Sequence, residues 1–60
     1  SLLAEVTEYL GVEGKASANT IAKGINKDRA NVSRLLNGRS EFTRQGRDST
    51  GILFALKESV

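Results

Sequence analysis

A chain of 60 residues with a net charge of +2 has room for one hydrophobic core, so we expect a single domain over residues 1–60. It contains no Cys and no His, which excludes disulfides, a standard zinc site, a thiol nucleophile and the commonest general base. Its carboxylates show no paired spacing, and it has no phosphate-binding glycine loop. We therefore predict no enzyme activity, no catalytic residue, no metal and no cofactor for this domain.

Two helices are predicted in the first half of the chain. Apolar residues recur at helical spacing over 2–10, which indicates an amphipathic first helix. A turn bracketed by glycines follows. Ser17 is a suitable N-cap for a second helix over about 18–23, and Gly24 is suited to end that helix in the left-handed conformation.

A third helix and two strands are predicted in the second half. Asp28 caps a helix over about 29–37, and the short polar connection before it is typical of a helix-turn-helix. Residues 41–45 and 52–56 are rich in aromatic and aliphatic side chains and predict strands. Residues 46–51 between them form a polar turn longer than a tight hairpin needs. This order predicts an α+β fold, a winged helix-turn-helix with three helices and a C-terminal β-hairpin wing.

Charge is distributed unevenly along the sequence. Residues 1–14 contain three carboxylates and no basic residue, whereas residues 27–47 contain six basic residues and two acidic ones. A basic half opposite an acidic half is typical of a protein that binds a polyanion. Ordinary scatter of charge over a solvated surface explains the same distribution, so charge alone leaves both interpretations open.

The exposed side of the third helix is the most informative surface. Its large apolar residues fall on the opposite, core-facing side. The exposed side has no carboxylate, holds one small residue, Ala30, and offers guanidinium, hydroxyl and amide donors from Arg29, Ser33, Arg34 and Asn37. Cations replace the counterions of a phosphate backbone, and short polar side chains permit close approach. We interpret this side as a nucleic-acid-binding surface, against the alternative of an ordinary solvated helix face. The tip of the hairpin offers a second contact, against the alternative of a disordered turn.

Four segments resemble those of one winged-helix family. They are YLGVEGKASA at 9–18, TIAK at 20–23, VSRLLN at 32–37 and TGILF at 50–54. Over essentially its whole length the chain resembles the Zα domains, which bind left-handed Z-form DNA and RNA. These domains occur in double-stranded-RNA adenosine deaminases, in innate-immune sensors of nucleic acid and in viral proteins.

The resemblance implies which residues bind the nucleic acid. Arg29 takes the place of a lysine that contacts phosphate, Arg34 keeps a basic phosphate contact, and Thr50 keeps the first position of the wing. Together with the basic residue Lys27, the full set predicted to bind nucleic acid is Lys27, Arg29, Ser33, Arg34, Asn37, Thr50, Gly51, Ile52 and Phe54.

Five of these positions depart from the family pattern, so the chain is a divergent relative. Ser33 stands in place of an Asn that bonds the backbone. Asn37 stands in place of a Tyr whose ring packs against a syn-guanine. Gly51 and Ile52 replace two prolines of the wing, and Phe54 replaces a Trp that supports the Tyr.

The function expected from these features is recognition of left-handed double-stranded DNA or RNA with CG-type repeats, with one or two domains on each duplex. Two alternatives stay open: an ordinary winged helix that reads the major groove of B-DNA, and a protein-interaction or dimerisation module. We expect no membrane association, because no apolar run approaches the roughly 20 residues of a membrane span. We expect a cytoplasmic or nuclear domain that was cut from a larger protein.

Overall fold

The computed structural model describes residues 1–57, which form three helices and a three-stranded antiparallel sheet. This α+β arrangement agrees with the prediction of three helices followed by a hairpin, and it is compatible with a winged helix. In chain order the elements are α1 (Leu2–Glu13), β1 (Lys15–Ser17), α2 (Ala18–Ile25), α3 (Arg29–Gly38), β2 (Phe42–Asp48) and β3 (Gly51–Leu56). In this part of the chain no helix is both long and apolar enough to cross a membrane.

Helix α1 is three residues longer than the predicted range 2–10. Gly11 stays helical, and the helix ends at Gly14, which has a φ of 87°. The N–H of Gly14 donates to the carbonyl of Leu10 at 2.8 Å and closes the last turn. A glycine can adopt this positive φ without steric cost, so Gly14, and not Gly11, is the residue that ends the helix.

Helix α2 begins as predicted but ends two residues later than predicted. The Ser17 hydroxyl accepts a hydrogen bond from the N–H of Thr20 at 3.2 Å, which confirms the N-cap. The left-handed residue at the other end is Asn26, with φ 57° and ψ 51°, and not Gly24. Gly24 is helical, and a Cβ at this position would collide with the ring of Tyr9 on α1. The missing side chain therefore permits α1 and α2 to approach each other.

Helix α3 agrees closely with its prediction. The Asp28 carboxylate accepts from the N–H of Asn31 at 3.2 Å and caps the first turn. Val32 and Leu36 are buried on one side, and Leu35 packs against the core beside them. The opposite side of the helix is consequently left at the surface.

Strand β1 was not predicted, and it adds a third strand to the expected hairpin. It spans three residues and pairs antiparallel with β3, so that the strand order is β1-β3-β2. The Cα partners of Ala16 and Ser17 are Phe54 and Leu53. A strand of three residues is too short to show an alternating pattern. Its pairing partner lies almost forty residues further along the sequence, so no local pattern indicates the pairing.

The hairpin is tighter than predicted. β2 continues to Asp48 and β3 begins at Gly51, so the loop comprises residues 49–50 and the prediction of a long turn over 46–51 is wrong. An irregularity in β2 between Arg44 and Arg47 absorbs the additional residue as a β-bulge, with Gly46 at a φ of 94°. Of the residues that suggested a long turn, 46–48 and 51 therefore belong to the two strands, and only Ser49 and Thr50 form the turn.

The core is formed by all six elements. Its buried apolar side chains are Val6, Leu10, Ala16, Ile21, Ala22, Val32, Leu36, Phe42 and Phe54. Ser17 is buried among them, and its hydroxyl is satisfied by Thr20. The hairpin is thus anchored in the same core as the helices, which fixes its position beside α3.

Two glycines in helices should respond oppositely to alanine. Gly11→Ala should raise the free energy of unfolding by about 0.5–1 kcal/mol, because the helix gains propensity and a Cβ meets nothing within 4 Å. Gly24→Ala should lower it by roughly 1 kcal/mol, because overpacking against Tyr9 outweighs the same gain. In a Tyr9→Ala background, Gly24→Ala should become stabilising. Urea unfolding followed by circular dichroism measures the wild type and the four variants, and equal stabilisation by both alanines would contradict this account.

Candidate nucleic-acid interface

A groove with a volume of about 280 Å³ lies between the first turn of α2, the exposed side of α3 and the wing formed by β2 and β3. We call it the α3–wing groove. Its lining residues are Ser17, Ala18, Asn19, Arg29, Ser33, Asn37, Arg44, Thr50, Gly51, Ile52 and Phe54. Within the described part of the chain none of these lining residues is acidic, and two of them are arginines. The charged side chains that line the groove are therefore all positive, as an anion-binding surface requires.

Most of the residues predicted from the sequence meet in this groove. Arg29, Ser33 and Asn37 line it from α3, and the wing supplies Thr50 together with residues 51, 52 and 54. Phe54 is largely buried and belongs to the core as well as to the groove. Helix face and wing, which the sequence singled out separately, thus form one continuous surface.

Two predicted contact residues do not line the groove. The ammonium group of Lys27 lies 3.8 Å from the carboxylate of Glu5 on α1. The guanidinium group of Arg34 donates to the side-chain carbonyl of Asn31, one turn earlier in α3. Both cations are exposed, so they lie outside the groove but remain at the surface.

The amide of Asn37 connects α3 to the wing. Its nitrogen donates to the backbone carbonyl of Ser33 at 2.9 Å, within α3. Its oxygen accepts from the Nη2 of Arg44 on β2 at 2.7 Å. Both ends of the amide are therefore occupied by groups of the same chain.

Four lining residues were not predicted as site residues from the sequence: Ser17, Ala18, Asn19 and Arg44. Arg44 pairs with Phe54 in the sheet and lies two residues after Phe42, so it belongs to the helix-facing side of β2. A charged residue at an inward position of the alternating pattern was the signal that could have identified it. Asn19 lies in the first turn of α2 and gave no comparable signal.

The tip of the wing is held by Asp48. Its carboxylate accepts from the hydroxyl of Thr50 at 2.6 Å and from the N–H of Thr50 at 2.8 Å. These two hydrogen bonds hold the pKa of the Asp48 carboxyl below its ordinary value, and the bond from the Thr50 hydroxyl has the larger effect. Since both donors of Thr50 are engaged, its hydroxyl must leave Asp48 before it can donate to a phosphate.

An ion pair lies between the end of α3 and the start of β2. The guanidinium group of Arg39 contacts the carboxylate of Glu41 at 3.0 Å, and this hydrogen bond lowers the pKa of Glu41. Both side chains are about half exposed, and neither lines the α3–wing groove. Arg39 is therefore an arginine outside the groove whose charge is compensated by Glu41.

Comparisons with protein-family models, with curated proteins and with solved structures find no match to this chain. The resemblance to Zα domains consequently stays a prediction that rests on the four segments described above. The geometry of the α3–wing groove is independent of that resemblance.

The bonds of the wing tip should be visible in an acid titration. Because the folded-state pKa of Asp48 is lowered, these bonds stabilise the wing above the ordinary pKa of about 3.9 and are lost as the pH falls through the lower folded-state value. Carbon-detected NMR of the Asp48 carboxyl should give a midpoint below about 3.9, and the Thr50 amide should shift with the same midpoint.

Removing the hydroxyl of Thr50 tests whether its hydrogen bond lowers the pKa of Asp48. Thr50→Val should raise the Asp48 midpoint towards its ordinary value, because the stronger of the two hydrogen bonds is lost. Thr7→Val, at an exposed position of α1, is the matched control and should leave the midpoint unchanged. A wild-type midpoint at or above the ordinary value would contradict this description of the wing tip.

Proposed function

We propose that this domain binds double-stranded nucleic acid in the α3–wing groove and selects the left-handed form of the duplex. The observation that carries the proposal is the convergence of α3 and the wing on one groove that contains two arginines and, among its described lining residues, no acid. A surface of this kind suits a phosphate backbone, which makes most of the hydrogen bonds in protein–nucleic acid interfaces.

The residues of the groove supply three kinds of contact. Arg29 supplies positive charge at the start of α3, and the hydroxyl of Ser33 supplies a short polar contact in the middle of the helix. Gly51 and Ile52 give the wing a small and partly apolar surface that can lie along sugars. Lys27 and Arg34 lie outside the groove and would contact phosphates that flank it, since a duplex is longer than the groove.

Selection of the left-handed form is supported by the resemblance to Zα domains and by the kind of contacts that the groove offers. Its side chains suit the phosphate backbone better than base edges, so the conformation of the backbone would be what is recognised. Asn37 replaces the aromatic ring with which the family contacts a base. Base–aromatic contacts contribute about 1–3 kcal/mol, so we expect binding roughly tenfold weaker than a complete contact set would give.

The conformer is tested by adding the domain to an alternating CG duplex and recording circular dichroism. The spectrum should invert towards the left-handed form, and the protein-to-duplex ratio at saturation should show whether one or two domains bind. Binding without inversion, and equally good binding to a mixed-sequence duplex, would indicate an ordinary B-DNA-binding winged helix. Absence of binding to either duplex would indicate a protein-interaction module.

The contact surface is tested by a matched pair of arginine variants. Arg29→Ala should weaken binding and reduce the slope of log K against log salt by about 1, because one phosphate contact is lost. Arg39→Ala removes an arginine that is paired with Glu41 outside the groove and should change both quantities little. Fluorescence anisotropy at several salt concentrations measures both, and equal losses for the two variants would show that only net charge matters.

A further inference from the structure

We propose that Arg44 binds a phosphate of the duplex backbone and that Asn37 is the positioning residue that aims its guanidinium group into the α3–wing groove. This inference rests on the proposed function, because it names a subsite of the same surface. Neither the charge pattern nor the resemblance to Zα domains assigns this role to Arg44.

The sheet register places Arg44 on the side that faces the helices. Its Cα partner is Phe54, whose side chain is buried in the core, and Phe42 occupies the equivalent inward position two residues earlier. An inward position on a strand normally carries an apolar side chain. Arg44 is nevertheless exposed, because β2 is an edge strand of the sheet and the side chain lines the groove.

The side-chain amide of Asn37 presents its oxygen to β2, so on that side it can only accept a hydrogen bond. Its amide nitrogen is engaged by the backbone carbonyl of Ser33, at 2.9 Å, and this turns the amide oxygen towards β2. The oxygen accepts from Arg44 at 2.7 Å. A guanidinium group has five N–H donors, so one bond to Asn37 fixes its direction and leaves the others for a ligand.

The partner of Arg44 is neutral, which distinguishes it from two other cations of the domain. Lys27 and Arg39 each contact a carboxylate, Glu5 and Glu41 respectively. An amide orients a guanidinium group without compensating its charge, so Arg44 retains its attraction for an anion. A planar fork of donors matches the oxygens of a phosphate, which makes phosphate the ligand class that fits best.

Arg29 and Arg44 contact different phosphates in this arrangement. Arg29 is the first residue of α3, and Asn37, which holds Arg44, lies eight residues later near the end of the helix. At 1.5 Å per residue the two ends of this span are about 12 Å apart along the helix axis. Arg29 and the amide that holds Arg44 therefore lie towards opposite ends of α3, a spacing that suits two different phosphates.

A structural role for Arg44 is the competing explanation. β2 is an edge strand, and an inward-pointing charge on an edge strand discourages pairing with another chain. That role requires the charge, but it requires neither Asn37 nor a nucleic acid. The two explanations consequently differ in what Asn37 does and in how binding depends on salt.

The experiment measures the affinity of the complete chain for an alternating CG duplex by fluorescence anisotropy over a range of salt concentrations. Arg44→Gln should weaken binding about tenfold and reduce the salt slope by about 1. Arg44→Lys should keep the slope but recover only part of the affinity, because a lysine has no fork of donors. Arg39→Gln is the matched control, with the same substitution at an arginine that is paired outside the groove, and should change both quantities little.

A double-mutant cycle isolates the positioning role. Asn37→Ala should weaken binding several-fold with a nearly unchanged salt slope, because Arg44 keeps its charge but loses its orientation. In the Arg44→Gln background the same change should have no further effect. Thermal unfolding of each variant verifies the fold, and these exposed side chains should leave the midpoint nearly unchanged.

Three results would overturn the inference. If Arg29→Ala weakens binding and Arg44→Gln does not, the proposed function stands and Arg44 instead prevents β2 from pairing with another chain. Self-association of Arg44→Gln at high concentration would verify that role. If Asn37→Ala weakens binding equally in both backgrounds, Asn37 acts independently of Arg44. If the wild-type chain binds neither the CG duplex nor a mixed-sequence duplex, the proposed function and this inference fail together.

Discussion

A single row of paired residues connects the core of this domain to its groove. Phe54 lies in the central strand, with Ala16 as its partner in β1 and Arg44 as its partner in β2. Ala16 and Phe54 are buried, whereas Arg44 is exposed. Because the three residues are direct neighbours in the paired sheet, packing of Phe54 in the core also determines where Arg44 lies relative to α3. The wing therefore has a fixed position beside the helix before any ligand arrives.

The parts of the fold that depend on local chemistry were predictable from the sequence. Ser17 and Asp28 cap their helices as expected, because an N-cap needs only a side-chain oxygen and an N–H three residues later. Gly24 was misinterpreted, since its role depends on Tyr9 in another helix. β1 was missed for the same kind of reason, because Ala16 is in a strand only by virtue of its pairing with β3. Tertiary contacts decide these positions, and local patterns do not contain them.

The residues of the candidate site also differ in whether local sequence patterns could predict them. Arg29, Ser33 and Asn37 were identifiable because helical periodicity alone places them on the exposed side of α3. Arg44 was missed: alternation from Phe42 places it on the inward side of β2, but its meeting with α3 depends on the register of β2 and on the bulge that follows it. In the sequence, the polar residues around the bulge also made the end of a paired hairpin resemble a long turn. A helix face can thus be derived from spacing, whereas a contact between a helix and a hairpin requires the register of the sheet.

Under the proposed function, the hydrogen bonds within the domain determine which groove residues can contribute to affinity for a phosphate backbone. Thr50 already donates to Asp48, so a bond from its hydroxyl to a phosphate replaces an existing bond and gains little. Arg44 has several donors left after its bond to Asn37, and its charge has no acidic partner among the described ion pairs. Charge-assisted bonds contribute roughly twice as much as neutral ones. Affinity should therefore come mainly from the arginines, while Thr50 and Asn37 determine the shape that a ligand must fit.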